Sequence, residues 1–308
     1  MLHLRLISPA ARTDEVTAVL DECQGVTNIV VLPGAAREPR GDVILCDIAR
    51  ESGNVVIGKL KWLEDEGSIA VEQVDLSLSK VADEAIDEAP GDPDDTVVWE
   101  DLSQRVHAES RITWAYLAFL AIATQLAGIG VLQNSTVLIV GAMVLGPEFG
   151  AIAAICFGLL GGQWHLIVKA LRTLVIGFTV AIAITFACAL VSHWLGWISH
   201  ANLEVNQEVS FIVKPDRWSF IVALLAGVAG VLSITGGKST SLIGVFISVT
   251  TVPAAGYLAV ALALGAWPEV PASVAQLAVN ILGMIVSGTA TLLIQRRFWP
   301  QVGRRSSF

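Results

Sequence analysis

Two prolines stand inside apolar stretches of this chain, and a glutamate directly follows one of them. Pro147 and Pro253 each open a Pro-x-x-Gly pattern, closed by Gly150 and Gly256. Proline removes a backbone hydrogen bond and clashes with the preceding turn, so each motif predicts a broken helix. Carbonyls freed at membrane depth are tolerated only where they are buried in protein or line a cavity. The neighbours are small or polar: Gly141 and Gly146 beside the first proline, Ser248, Thr250 and Thr251 beside the second. Such surfaces let backbones approach closely or coordinate a ligand, and the plainer alternative is two kinked helices packed through small residues. Glu148 weighs toward a site. An ionised carboxylate near the bilayer centre costs about 3 kcal/mol or more, so it should face a cavity, a partner or a proton. Its structural alternative is a protonated or helix-capping glutamate. The second motif carries Ala254 at the matching position, so a site here is asymmetric.

Asn280 completes the predicted path of Pro147, Glu148, Gly146, Gly150, Ser248, Thr250, Thr251, Pro253 and Gly256. Gln276, Gln125 and Thr124 are further polar groups inside apolar segments, each alone more typical of a helix–helix hydrogen bond. Other chemistry is absent. Cys23, Cys46, Cys156 and Cys188 show no ligand spacing, and His3, His107, His165, His193 and His200 are scattered, so neither metal nor cofactor is expected. Gly236-Gly237-Lys238-Ser239-Thr240 resembles a phosphate loop, but Leu232 stands where its first glycine belongs and no strand precedes it. Asn134-Ser135-Thr136 is a formal glycosylation sequon abutting a membrane segment. No nucleophile–base arrangement appears, and no enzymatic activity is expected.

The elements holding these residues read as membrane spans. A helix needs about 20 apolar residues to cross the hydrocarbon core, and six segments qualify or nearly so: 114–132, 137–160, 166–191, 218–234, 242–266 and 274–294. Trp114, Trp164, Trp194, Trp197, Trp218, Trp267 and Trp299 fall at or just outside their ends, as amphipathic rings settle at headgroups. With a cytoplasmic N-terminus, the inner side receives Arg105, Arg111, Lys169, Arg172, Lys238, Arg296, Arg297, Arg304 and Arg305, and the outer side only Lys214 and Arg217. The bias places both termini inside, in a cytoplasmic membrane. The prolines lie 106 residues apart with three helices between equivalent points. An odd number of crossings inverts the second copy, which predicts two inverted three-helix repeats.

Ahead of the membrane segments lies a different chain. The 308 residues carry a net charge of -9, and 23 of the 28 acidic residues fall in the first 110 positions, which argues against a nucleic-acid partner. The opening residues lack the apolar core of a signal peptide. Strands are expected at 2–8, 27–32, 42–49 and 68–78, with helices at 11–23 and 55–64, a βαββαβ order over residues 1–82 typical of a ferredoxin-like fold. Residues 83–96 read as a flexible acidic linker and 97–113 as an interfacial helix with Val98, Leu102 and Val106 on its apolar face. The membrane domain is expected over 114–295 and a basic tail over 296–308.

At Ile139-Val-Gly-Ala-Met-Val-Leu-Gly-Pro147 and at 242–253 (Leu-Ile-Gly-Val-Phe-Ile-Ser-Val-Thr-Thr-Val-Pro) the chain resembles bacterial hydrophobic membrane proteins grouped as domain of unknown function 389. The resemblance covers roughly 114–294. Members often carry a hydrophobic residue after the first proline and a Pro-Pro pair in the second motif, and Glu148 and the single Pro253 depart from that pattern. The resemblance implies topology and names no activity. The reading that follows is a channel or secondary transporter for a small solute or ion, gated or assembled by the N-terminal domain, in a homo-oligomer within the bilayer. Its rival is a membrane-anchored sensor or scaffold whose soluble domain binds a ligand or partner.

Overall fold

The computed structural model describes residues 1–74, 77, 79–89, 96–199, 203, 217–236 and 251–298. Two compact units emerge, one built on residues 1–102 and one on 103–296.

The first unit follows the expected βαββαβ order. Strands β1 (Leu2–Ser8), β2 (Val26–Arg37), β3 (Arg40–Ile48) and β4 (Ser68–Gln73) form an antiparallel sheet in the order β2-β3-β1-β4. Alternation puts Leu2, Leu4 and Leu6 of β1 beside Ile44, Cys46 and Ile48 of β3 on one face. Helices α1 (Thr13–Asp21) and α2 (Gly53–Leu60) cover that face with Val16, Leu20, Val56, Ile57 and Leu60. Asp42 ties the α1 start to the β2–β3 hairpin: Thr13 Oγ1 donates to one carboxylate oxygen at 2.6 Å and the Gly34 N–H to the other at 2.8 Å. These two bonds, the Thr13 one foremost, hold the Asp42 pKa below its ordinary value.

Three expectations are corrected. The helix expected at 55–64 divides into α2 and a single turn, α3 (Leu63–Glu66). The start of the expected acidic linker is helix α4 (Lys80–Glu88), whose Ser79 cap accepts from the Ala82 N–H and whose Ala82 and Ala85 are buried. Composition suggested solvation, but an N-cap and two small apolar residues at i, i+3 suffice for a docked helix. The third concerns α5 (Trp99–Glu109), where Leu102 and Val106 are buried, as is Val98 just before it, so this apolar face is covered by protein.

In the second unit, α6 (Trp114–Leu132), α9 (Trp164–Trp194), α10 (Arg217–Gly236) and α12 (Val270–Phe298) are long and apolar enough to cross a membrane. The second expected segment is present as α7 (Thr136–Leu145) and α8 (Glu148–Gly161), bent by 53° at Gly146-Pro147. Of the fifth, the described part is α11 (Thr251–Ala263). Trp114, Trp164, Trp194, Trp197, Trp218 and Trp267 stand exposed at or near the helix ends. The chain is a multi-pass membrane protein by these helices.

Glycine sets the packing. A Cβ at Gly256 of α11 would stand 2.7 Å from the Gly128 nitrogen and 2.9 Å from the Thr124 carbonyl of α6, so these backbones touch. Further along α11, Val260 reaches Gly128, and Leu264 just beyond the helix clusters near Leu132, so α11 runs in the same direction as α6. Tyr116 and Leu120 of α6 fill the space over Gly177 of α9, and Gly128 lies near Thr185, which makes α9 parallel to both. At the α8–α9 turn, Ile167 packs on Gly158, so α8 returns antiparallel.

Candidate functional site

The first proline motif begins a helix, and the second lies in the first described residues of α11. Gly146 is extended (φ -66°, ψ 118°) and ends α7; Pro147 (φ -93°, ψ 8°) caps the start of α8, leaving Glu148 as its first residue. Pro253 is the third residue of the described part of α11. Since α8 and α11 run in opposite directions, their N-terminal ends meet and the helices diverge from one place.

Glu148 and Thr251 join those ends. Thr251 Oγ1 donates to Glu148 Oε1 at 2.6 Å, and both residues are fully buried. A hydroxyl-to-carboxylate bond this short is the charge-assisted kind. The start of α8 carries partial positive charge from its unpaired N–H groups, which favours negative charge at the carboxylate. Such a carboxylate can hold a proton, a cation or a hydrogen-bonding solute in a place reached by both α8 and α11.

The structure brings together Pro147, Glu148, Thr251 and Pro253. Gly150 and Gly256 serve different contacts: Gly256 meets the α6 backbone, whereas a side chain at Gly150 would collide with the Glu109 carboxylate. Glu109 closes α5 with much of its surface exposed, but its carboxyl end is enclosed, which raises its pKa against the opposing pull of Arg105. Between them, Phe149 lays its ring on Gly230 of α10. Ser248 and Thr250 lie outside the described residues.

Asn280 is fully buried on α12. This helix runs parallel to α8, because Cys156 Sγ reaches the Ile285 carbonyl at 3.5 Å, Gly288 abuts Cys156, and Arg296 donates to the Leu160 carbonyl at 3.3 Å. Glu148 lies eight residues before Cys156 and Asn280 eight before Gly288, each about 12 Å back along its helix. Asn280 therefore stands at about the depth of the α8–α11 junction. Of the other polar residues, Thr124 and Gln276 are buried and Gln125 is half-buried. Thr124 is occupied locally, donating to the Leu120 carbonyl at 2.7 Å.

Glu109, Gly128 and Gly230 were not singled out from sequence. A lone acid five residues before a span and single glycines within spans were the available signals, and none reveals its partner. Among the described residues no cluster of His, Cys, Asp and Glu could hold a metal ion.

The family model described as a domain of unknown function (DUF389) matches residues 143–286, the family that the two proline motifs resemble. Among curated proteins, an uncharacterised protein of Methanocaldococcus jannaschii is 26% identical over 137 residues, covering 44% of this chain and 40% of that relative. The chain thus matches less than half the length of that relative. No solved structure matches the chain.

Proposed function

We propose that this protein is a channel or secondary transporter for a small solute or ion, with its path crossing the junction of α8 and α11. The observation that carries this reading is the fully buried Glu148, held by Thr251 at 2.6 Å where the broken second segment meets α11. Buried ionisable groups inside membrane segments are expensive and mark solute or proton pathways. Discontinuous helices whose N-termini converge are the usual frame of transporter sites.

An inverted repeat supports the reading through reciprocal contacts. Gly128 of the first span receives α11 from the other half, and Gly230 of α10 receives Phe149 of α8. Likewise Gly177 of α9 receives Tyr116 and Leu120, while Gly283 of α12 receives Phe220 and Ala223 of α10. These two pairs of contacts correspond between the halves, in keeping with six spans arranged as two copies.

The test is Glu148→Gln in the full chain, reconstituted into vesicles holding a pH-sensitive dye. Glutamine keeps the shape and accepts from Thr251 but cannot titrate. Folding should persist while proton-linked flux is lost; unchanged flux and pH dependence would remove Glu148 from the path. The bare backbone contact of Gly256 on Gly128 favours a second reading, a tightly packed anchor for a sensor or scaffold domain. Vesicles with no flux of any probe, from wild type or variant, would support that one.

A further inference from the structure

The last helix carries a buried polar row that the proline motifs do not explain. Ser273, Gln276, Asn280, Ser287, Thr291 and Gln295 are all buried on α12, at spacings that put them along one face. The opposite face exposes Val279, Leu282, Val286 and Leu293, as a lipid-facing surface would.

The two halves of the row differ. Toward the C-terminal end its members are hydrogen-bonded: Ser287 Oγ to the Gly283 carbonyl at 3.0 Å, Thr291 Oγ1 to the Ser287 carbonyl at 2.9 Å, and Gln295 Nε2 to Thr235 Oγ1 at 2.9 Å. Toward the N-terminal end, Ser273 donates to the Glu269 carbonyl at 2.9 Å. Gln276 is fully buried, yet among the described residues neither its Nε2 nor its Oε1 finds a partner. A carboxamide brings two donors and an acceptor, and burying them unpaired is costly, so such groups occur where something polar comes to meet them.

Resting on the transport reading above, we propose that Gln276 is the solute-recognising amide of the pathway. Asn280 stands one turn further on, at the depth of Glu148. The row holds carboxamides and hydroxyls and no charged side chain, so it suits an uncharged solute with a donor and an acceptor side by side. Small amides and ureas have that pattern, their C=O and N–H matching the N–H and C=O of a primary carboxamide in one plane.

The experiment uses the full chain in vesicles under an inward gradient of urea or of acetamide, with swelling followed by light scattering. Wild type should swell at least tenfold faster than empty vesicles. Gln276→Leu should return to the empty-vesicle rate, with a melting temperature equal to or above wild type, since leucine fills the space without an unpaired amide. A lower melting temperature or a misfolded variant would overturn the inference, because it would show that the amide has a structural partner. Full swelling with Gln276→Leu overturns it too, while leaving the transport reading intact. If wild type passes neither solute, the ligand class is wrong, and the Glu148→Gln proton measurement still judges the transport reading separately.

Discussion

At the scale of single residues, two carboxylates in this chain are each held by a threonine hydroxyl. Thr251 serves Glu148 inside the helical unit and Thr13 serves Asp42 on β3 of the sheet. Thr251→Val keeps the volume and removes the donor, leaving the buried Glu148 oxygen short of a bond. A hydrogen bond to a charged group contributes about 1.5–3 kcal/mol, so the variant should melt measurably lower in detergent, and Thr251→Ser should restore most of the loss. If valine and serine behaved alike, the 2.6 Å bond would have no energetic standing. Asp42 predicts a pH effect instead. Its folded pKa lies below the ordinary value, so its contribution is complete above the unfolded aspartate pKa of about 3.9 and fades as pH falls through the folded one. In the full chain, hydrogen exchange at β2–β3 amides should accelerate below that window. With Asp42→Asn the acid-dependent acceleration should be smaller, and an unaltered profile would assign the effect to other groups.

At the scale of elements, the sequence was most legible where a single physical rule acts along the chain. Alternating residues gave β1 and β3 closely and the starts of β2 and β4, although β2 runs on to Arg37 through the expected Gly- and Pro-rich loop and β4 is described only to Gln73. Apolar length gave α6 as Trp114–Leu132 and the boundaries of α9, α10 and α12 to within a few residues. Proline chemistry placed the break between α7 and α8, which the 53° bend confirms. What stayed hidden is pairing between distant residues. Nothing near Thr251 in sequence says that its hydroxyl reaches Glu148, 103 positions away. Composition misled at α4, where a serine cap outweighed the acidic residues. Glycines illustrate the same limit: Gly141 and Gly256 look alike in sequence, but a Cβ at Gly141 meets nothing within 4 Å, whereas one at Gly256 would press on the α6 backbone. Forcing an extra methyl into a packed contact costs about 1–3 kcal/mol. Gly256→Ala should therefore lower the melting temperature in detergent. Gly141→Ala should be neutral or stabilising by up to about 1 kcal/mol, because alanine suits a helix interior better. Equal melting of the two variants would contradict the α6–α11 crossing.

At the scale of the whole molecule, whether the halves are inverted copies and how the chain is oriented are one problem. If the halves are related by a two-fold axis in the membrane plane, then α8 and α11 leave the junction toward opposite faces, and whichever face α8 approaches also receives the α8–α9 turn. That turn is followed by Lys169 and Arg172, while Lys214 precedes α10 and Arg217 opens it, on the far side if six crossings are made. With six crossings, nine basic residues would share one face and two the other, and basic residues near span ends are retained in the cytoplasm. The expected arrangement is six crossings with both termini cytoplasmic. Cysteines introduced singly at positions 162, 196 and 302, on a background with Cys23, Cys46, Cys156 and Cys188 replaced, would decide it with a membrane-impermeant thiol reagent on intact cells. Position 196, in the turn after α9, should label from outside. Positions 162, after α8, and 302, in the C-terminal tail, should label only once the membrane is opened. If 162 and 196 labelled from the same side, α9 would not cross the bilayer. External labelling at 302 with the other two as expected would leave an even number of crossings after α9, and the second half could not be an inverted copy of the first.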